Sequence, residues 1–124
     1  CAWVTEKFCT WADCDNDIRN VVDWDHMLGN ISLYWFTGTI ASSLRFYRQN
    51  TQAHISGRNA FGPISAPCGV ALYPKEIFQA PRAWVEREFN LVHWSEAERG
   101  GHFAAMEQPL ALSEEVQAFF RGLR

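Results

Sequence analysis

Apolar residues recur at helical spacing through the first half of the chain. Trp3, Val4, Phe8 and Trp11 stand three and four positions apart, which puts them on one face of a predicted helix. Asp13 to Asp17 is a polar break. Asp23 or Asp25 can cap a second helix, because a carboxylate there meets free backbone N–H groups. Met27, Leu28, Ile31, Leu33, Tyr34, Trp35 and Phe36 then form a wide apolar surface. Tyr34 sits inside its densest run and reads as core. Gly38 interrupts the pattern, and Thr39 is placed to cap a third helix carrying Ile40, Leu44, Phe46 and Tyr47.

The pattern changes between Thr51 and Pro67. Gly57, Gly62, Pro63, Ser65 and Pro67 predict a loop or linker there. It divides the chain into a helical portion, residues 1–55, and a second unit, residues 56–124. In the second unit Cys68 to Tyr73 is a short apolar run between Pro67 and Pro74, as expected of a buried strand. Pro81 to Phe89 suits a helix with proline near its first turn. Asn90 to Trp94 suits a second strand. Leu112, Val116, Phe119, Phe120 and Leu123 mark a C-terminal amphipathic helix. A strand–helix–strand–helix order implies parallel pairing in an α/β sheet. Two parallel strands do not stand alone, since such strands lie between helices and beside other strands. Further strands are therefore expected upstream of Cys1, where Ala2-Trp3-Val4 already reads as helix interior, so the chain reads as a fragment.

Composition narrows the function. The 124 residues favour one small domain, and six Trp and nine Phe can supply a core. The net charge of −3 and the scattered basic residues give no reason to expect nucleic acid or an anionic membrane as partner. Cys1, Cys9, Cys14 and Cys68 lack the density of a disulfide framework. Free thiols in a reducing, cytoplasmic setting are expected instead. Cys9 and Cys14 form a lone C-x4-C pair, which argues against a zinc site. Neither a metal nor another cofactor is expected. No apolar run approaches the ~20 residues of a membrane span.

The chemistry concentrates in Gly100-Gly101-His102-Phe103-Ala104-Ala105-Met106-Glu107-Gln108-Pro109. Glycines interrupt regular structure, so His102 falls on a loop after the second predicted strand. There it can reach a cleft and move protons near neutral pH. Glu76 falls on the loop after the first strand, in Tyr73-Pro74-Lys75-Glu76. In a parallel sheet both loops emerge at the carboxyl edge, where α/β proteins place their sites. A carboxylate there can accept the second N–H of His102, setting its tautomer and stabilising the imidazolium. Glu98 is the rival acid. His26, His54 and His93 show no supporting partner in the sequence and read as structural or exposed.

Four stretches, in order and spanning nearly the whole chain, carry a resemblance. They are Ala2-Trp3-Val4-Thr5-Glu6-Lys7-Phe8 with Trp11-Ala12-Asp13-Cys14-Asp15; Asn30 to Ser43, containing Leu33-Tyr34-Trp35-Phe36-Thr37-Gly38-Thr39-Ile40; Val70 to Glu76 with Pro81-Arg82-Ala83-Trp84; and Arg99 to Pro109. They resemble the C-terminal part of α/β-hydrolase-fold epoxide hydrolases of the microsomal and juvenile-hormone type. The implied fold is α/β: the last two parallel strands and helices of that fold, residues 56–124, preceded by part of a helical lid, residues 1–55.

The resemblance implies roles. His102 corresponds to the base that activates water, and Glu76 to its charge-relay acid, in the order nucleophile, acid, histidine. Tyr47 corresponds to one of two lid tyrosines that hydrogen-bond the epoxide oxygen; a phenol can stabilise a developing alkoxide. Trp35, Phe36 and Phe46 are the expected substrate contacts, suiting a small lipophilic epoxide with water as co-substrate. The implied reaction runs through an alkyl–enzyme ester. The nucleophilic aspartate, the second tyrosine and the oxyanion loop are expected upstream of Cys1. Asp13, Asp15, Asp17, Asp23 and Asp25 cluster in the lid segment and replace the nucleophile poorly. The chain alone is therefore expected to be inactive. A haloalkane dehalogenase or other ester-forming α/β-hydrolase is the alternative, as is an incomplete unit that needs a partner chain; oligomerisation stays open.

Overall fold

The computed structural model describes residues 1–56 and 63–123. Helix α1 covers Ala2–Trp11, α2 Trp24–Thr37 and α3 Ile40–Ile55, with a short 3₁₀ turn at Ile18–Asn20 between α1 and α2. Strand β1 covers Ile64–Leu72, α4 Arg82–Glu88, β2 Phe89–Glu96, α5 Ala104–Glu107 and α6 Pro109–Arg121.

The helix ends follow local chemistry. Asp23 caps α2, its carboxylate accepting from the His26 N–H at 2.8 Å. Gly38 ends α2 with φ +65°, a left-handed conformation that glycine adopts freely. Thr39 occupies the N-cap position of α3 but makes no side-chain cap bond. Its hydroxyl meets that of Thr37 at 2.7 Å instead. Helix α6 starts on Pro109, whose missing N–H has no partner to lose in a first turn.

The predicted linker is shorter than Thr51 to Pro67. Helix α3 continues to Ile55 and β1 begins at Ile64; Gly57 and Gly62 lie outside the described residues. Pro67 lies inside β1, where the pairing register shifts between Ile64 and Pro67. A proline lacks the ladder N–H, and a strand accepts it at such an irregularity.

The strands pair in parallel, with Cys68 opposite Leu91 and Leu72 opposite Glu96. Helix α4 packs against β2 and α6 against β1. The strands are less buried than their apolar sequence suggests. The first half of β1 is exposed, and Ile64, Phe89 and Val92 are open to solvent. The reason is topological: among the described residues each strand has only the other as neighbour.

The core lies elsewhere. Phe8, Cys14, Ile18, Val22 and Met27 form one buried cluster, and Phe103 and Met106 pack against it. Phe8 and Phe103 stack with ring centroids 4.6 Å apart. Residues before and after the linker thus share one core. No described helix is long and apolar enough to cross a membrane.

Candidate active site

Parallel pairing continues past the ends of the strands. The Ala97 N–H donates to the Leu72 carbonyl at 2.8 Å, and the Lys75 N–H to the Gly100 carbonyl at 3.0 Å. Lys75 and Gly101 form a parallel bridge. The acid loop and the histidine loop are therefore laced together by backbone. Gln79 braces the acid loop by donating its amide to the Tyr73 and Pro74 carbonyls at 3.1 and 2.9 Å.

This lacing brings Glu76 to His102. Glu76 Oε1 lies 2.8 Å from His102 Nδ1 and also accepts the Ile77 N–H at 2.7 Å. An Nδ1–H donating to the carboxylate leaves Nε2 with a free lone pair, the form a general base requires. Glu76, rather than Glu98, faces the ring. The pair is part-exposed, with side chains 29 % and 35 % accessible.

Two glycines make room for the loop. Gly100 has φ +117°, a region that residues with a Cβ avoid, and a Cβ there would come 2.7 Å from Tyr73 Cδ1. A Cβ on Gly101 would come 2.6 Å from the Trp11 carbonyl oxygen and 3.0 Å from the Asp13 nitrogen. The loop is pressed against the end of α1, and the His102 N–H donates to the Trp11 carbonyl at 2.9 Å. The Trp11 ring meets His102 edge-on at 4.9 Å, and the Lys7 ammonium lies 5.0 Å from the Trp11 ring centre.

A cavity of about 240 Å³ opens over this face of His102. Three helices each present a stripe at helical spacing to it: Trp3, Lys7 and Trp11 from α1, Asn30 and Tyr34 from α2, Ser43 and Tyr47 from α3. Tyr47 thus shares a cavity with His102, its ring packed edge-on against Trp3 at 5.8 Å. Tyr34 lines the cavity rather than the core, because its helix turns that face toward α1. Trp35, Phe36 and Phe46 do not line it. They are 71 %, 84 % and 66 % exposed. Trp35 and Phe46 stand one residue, and Phe36 two, from a cavity-facing tyrosine, and each residue along a helix rotates the side chain by about 100°.

Glu107 was not legible as a site residue. It is buried, and its carboxylate accepts three backbone N–H groups: Asp13 at 2.7 Å and Gly101 at 2.8 Å on Oε2, Phe103 at 2.8 Å on Oε1. The signal available was an acid four residues after a loop phenylalanine, at the end of a one-turn helix. Asp13 Oδ2 adds a bond from the Gly100 N–H at 2.9 Å.

His26 and His93 have partners that the sequence did not reveal. His26 Nδ1 lies 2.6 Å from Asp23 Oδ2, and that hydrogen bond raises the imidazole above its ordinary range. His93 Nε2 lies 2.9 Å from Glu115 Oε2, which also accepts the Ser95 hydroxyl at 2.7 Å. Both pairs lie outside the cavity around His102. The four cysteines are free, and burial raises the Cys14 thiol above its usual value. Among the described residues no group of three His, Cys, Asp or Glu side chains is placed to hold a metal ion.

Two parallel strands joined through a helix, with an acid loop and a histidine loop at their carboxyl edge, form the C-terminal part of an α/β-hydrolase fold. Comparison with known proteins sharpens the class. No protein-family model matches the chain. It is 45 % identical over 124 residues to a protein named an epoxide hydrolase in Stigmatella aurantiaca, covering 99 % of the chain and 27 % of that protein. It is 36 % identical over 126 residues to epoxide hydrolase 1 of Sus scrofa, covering 95 % and 28 %. Solved structures agree: Aspergillus niger epoxide hydrolase matches with a TM-score of 0.79 at 30 % identity, over 99 % of this chain and 29 % of that one. Bombyx mori juvenile hormone epoxide hydrolase matches with a TM-score of 0.88 at 27 % identity, over 98 % and 30 %. By sequence and by fold the chain matches the C-terminal part of epoxide hydrolases of the microsomal and juvenile-hormone type. It spans 27–28 % of the length of these curated relatives.

Proposed function

We propose that this chain carries the water-activating half of an epoxide hydrolase. The observation that carries the reading is the Glu76–His102 pair, 2.8 Å apart, with His102 lining a cavity that Tyr47 also lines. A carboxylate from the remaining part of the fold, in the same polypeptide or in a separate chain, attacks an epoxide carbon. The ring C–O bond breaks as the Tyr47 hydroxyl hydrogen-bonds and protonates the leaving oxygen, giving a hydroxyalkyl ester. His102 Nε2 then takes a proton from water, the hydroxide attacks the ester carbonyl, and the ester opens to release a vicinal diol. Glu76 balances the imidazolium during that step, and the proton His102 took up restores the phenol. The aromatic walls supplied by Trp3, Trp11 and Tyr34 suit a small lipophilic epoxide.

The two-step reading is tested by blocking the second step. His102→Gln in the full-length protein should leave ester formation intact and stop its hydrolysis. Intact-protein mass spectrometry after exposure to an aryl epoxide should then show an adduct equal in mass to one epoxide, attached to a carboxylate. No adduct, or an adduct on serine or cysteine, would overturn the reading.

A further inference from the structure

We propose that Glu107 is a positioning residue for His102, clamping the backbone on both sides of the base and tying it to the α1 end of the helical portion. This inference rests on the epoxide hydrolase reading for its kinetic consequence, though not for its geometry. The two carboxylate oxygens divide the work. Oε1 accepts the Phe103 N–H, immediately after His102. Oε2 accepts the Gly101 N–H, immediately before it. The same Oε2 accepts the Asp13 N–H, two residues past α1. One buried side chain therefore spans the base residue and joins it to the element whose Trp11 ring and carbonyl also touch His102.

A carboxylate suits this task for a definite reason. All three groups it meets are donors, and an ionised carboxylate presents acceptors on both oxygens. Glutamine has the same shape but turns an NH₂ toward either Phe103 or the Gly101–Asp13 pair. That leaves a donor facing a donor in a buried place, where an unmade bond is costly. The loop then shifts to relieve the conflict, and the shift moves the His102 ring relative to Glu76 and to water. Displacement of a catalytic group by about 1 Å lowers rates by about a hundredfold.

The test uses Glu107→Gln and Glu107→Ala in the full-length protein. The expected result is a kcat per folded molecule lowered about tenfold to a hundredfold, with KM falling alongside it so that kcat/KM stays within about twofold of the parent. The alkyl–enzyme ester should accumulate during turnover, because only the His102-dependent step is slowed. The NMR signal of the His102 Nδ1 proton should broaden or shift relative to the parent. A purely structural role predicts otherwise: a lower melting temperature with kcat per folded molecule, ester level and Nδ1 signal unchanged. That outcome overturns the proposal. If these variants do not fold, Glu107→Asp keeps the charge but is one methylene short of spanning both flanks, and it is read by the same three criteria. If the parent protein turns over no epoxide, the functional reading fails alone, and the Nδ1 signal decides the clamp: unchanged in Glu107→Gln, it refutes it.

Discussion

The Lys75 N–H donates to the Gly100 carbonyl at 3.0 Å, beyond the last paired residues of β1 and β2, Leu72 and Glu96. Glu76 follows Lys75 directly, and His102 follows Gly100 by two residues. The rung converts strand pairing into the alignment of an acid with a base. Lys75→Pro removes this donor while leaving both site residues in place. The expected outcome is a fall of about tenfold or more in diol formation, with Lys75→Ala close to the parent. Equal activity in the two variants would show that the rung does not position Glu76.

Tyr47 separates epoxide opening from related chemistries. A haloalkane loses halide without a proton donor, whereas an epoxide oxygen needs one as its ring opens. Tyr47→Phe should lower epoxide turnover by about tenfold or more. Halide release, if the protein catalyses any, should stay at the parent level. An unchanged epoxide rate would remove Tyr47 from the mechanism and leave Tyr34, in the same cavity, as the next phenol to test.

Gly101 is a site of close backbone approach. A methyl group there meets the Trp11 carbonyl oxygen at 2.6 Å. Backbone cannot swing aside as a flexible side chain can, so α1 and the histidine loop must separate. Gly101→Ala should destabilise the fold by about 1–3 kcal/mol, measured by denaturant unfolding. The His102–Trp11 backbone bond should weaken with it, seen as faster exchange of the His102 amide.

Glu115 links α6 to β2 and makes stability depend on pH. Its carboxyl is held below the ordinary value of 4.5, first by the His93 hydrogen bond and then by that of Ser95. A folded-state value below the unfolded one means the stabilisation is present above about pH 4.5 and is lost as pH falls through the lower folded value. Thermal unfolding of the parent should therefore lose stability through that acid range. Glu115→Gln should show a flatter profile there, with a lower melting temperature near neutrality. Parallel profiles for the two proteins would remove Glu115 as the source.

Much of the architecture is legible in the sequence because it is local. The spacing of Trp3, Val4, Phe8 and Trp11, the cap at Asp23 and the glycine at 38 all act within a turn or two of chain. The same holds for the strand–helix–strand order that sends Glu76 and His102 to one edge of a parallel sheet. Tertiary structure decided what depends on which elements touch. Pro67 enters β1 because the pairing shifts there. Tyr34 faces the cavity while Trp35 and Phe36 face solvent, because packing against α1 selects one angular sector of α2 and helical periodicity does not say which. Glu107 acquires its partners from a residue 94 positions away and from its own loop. A pattern along the chain records the identity and spacing of its groups; which distant N–H a buried carboxylate meets is fixed only when the elements have packed.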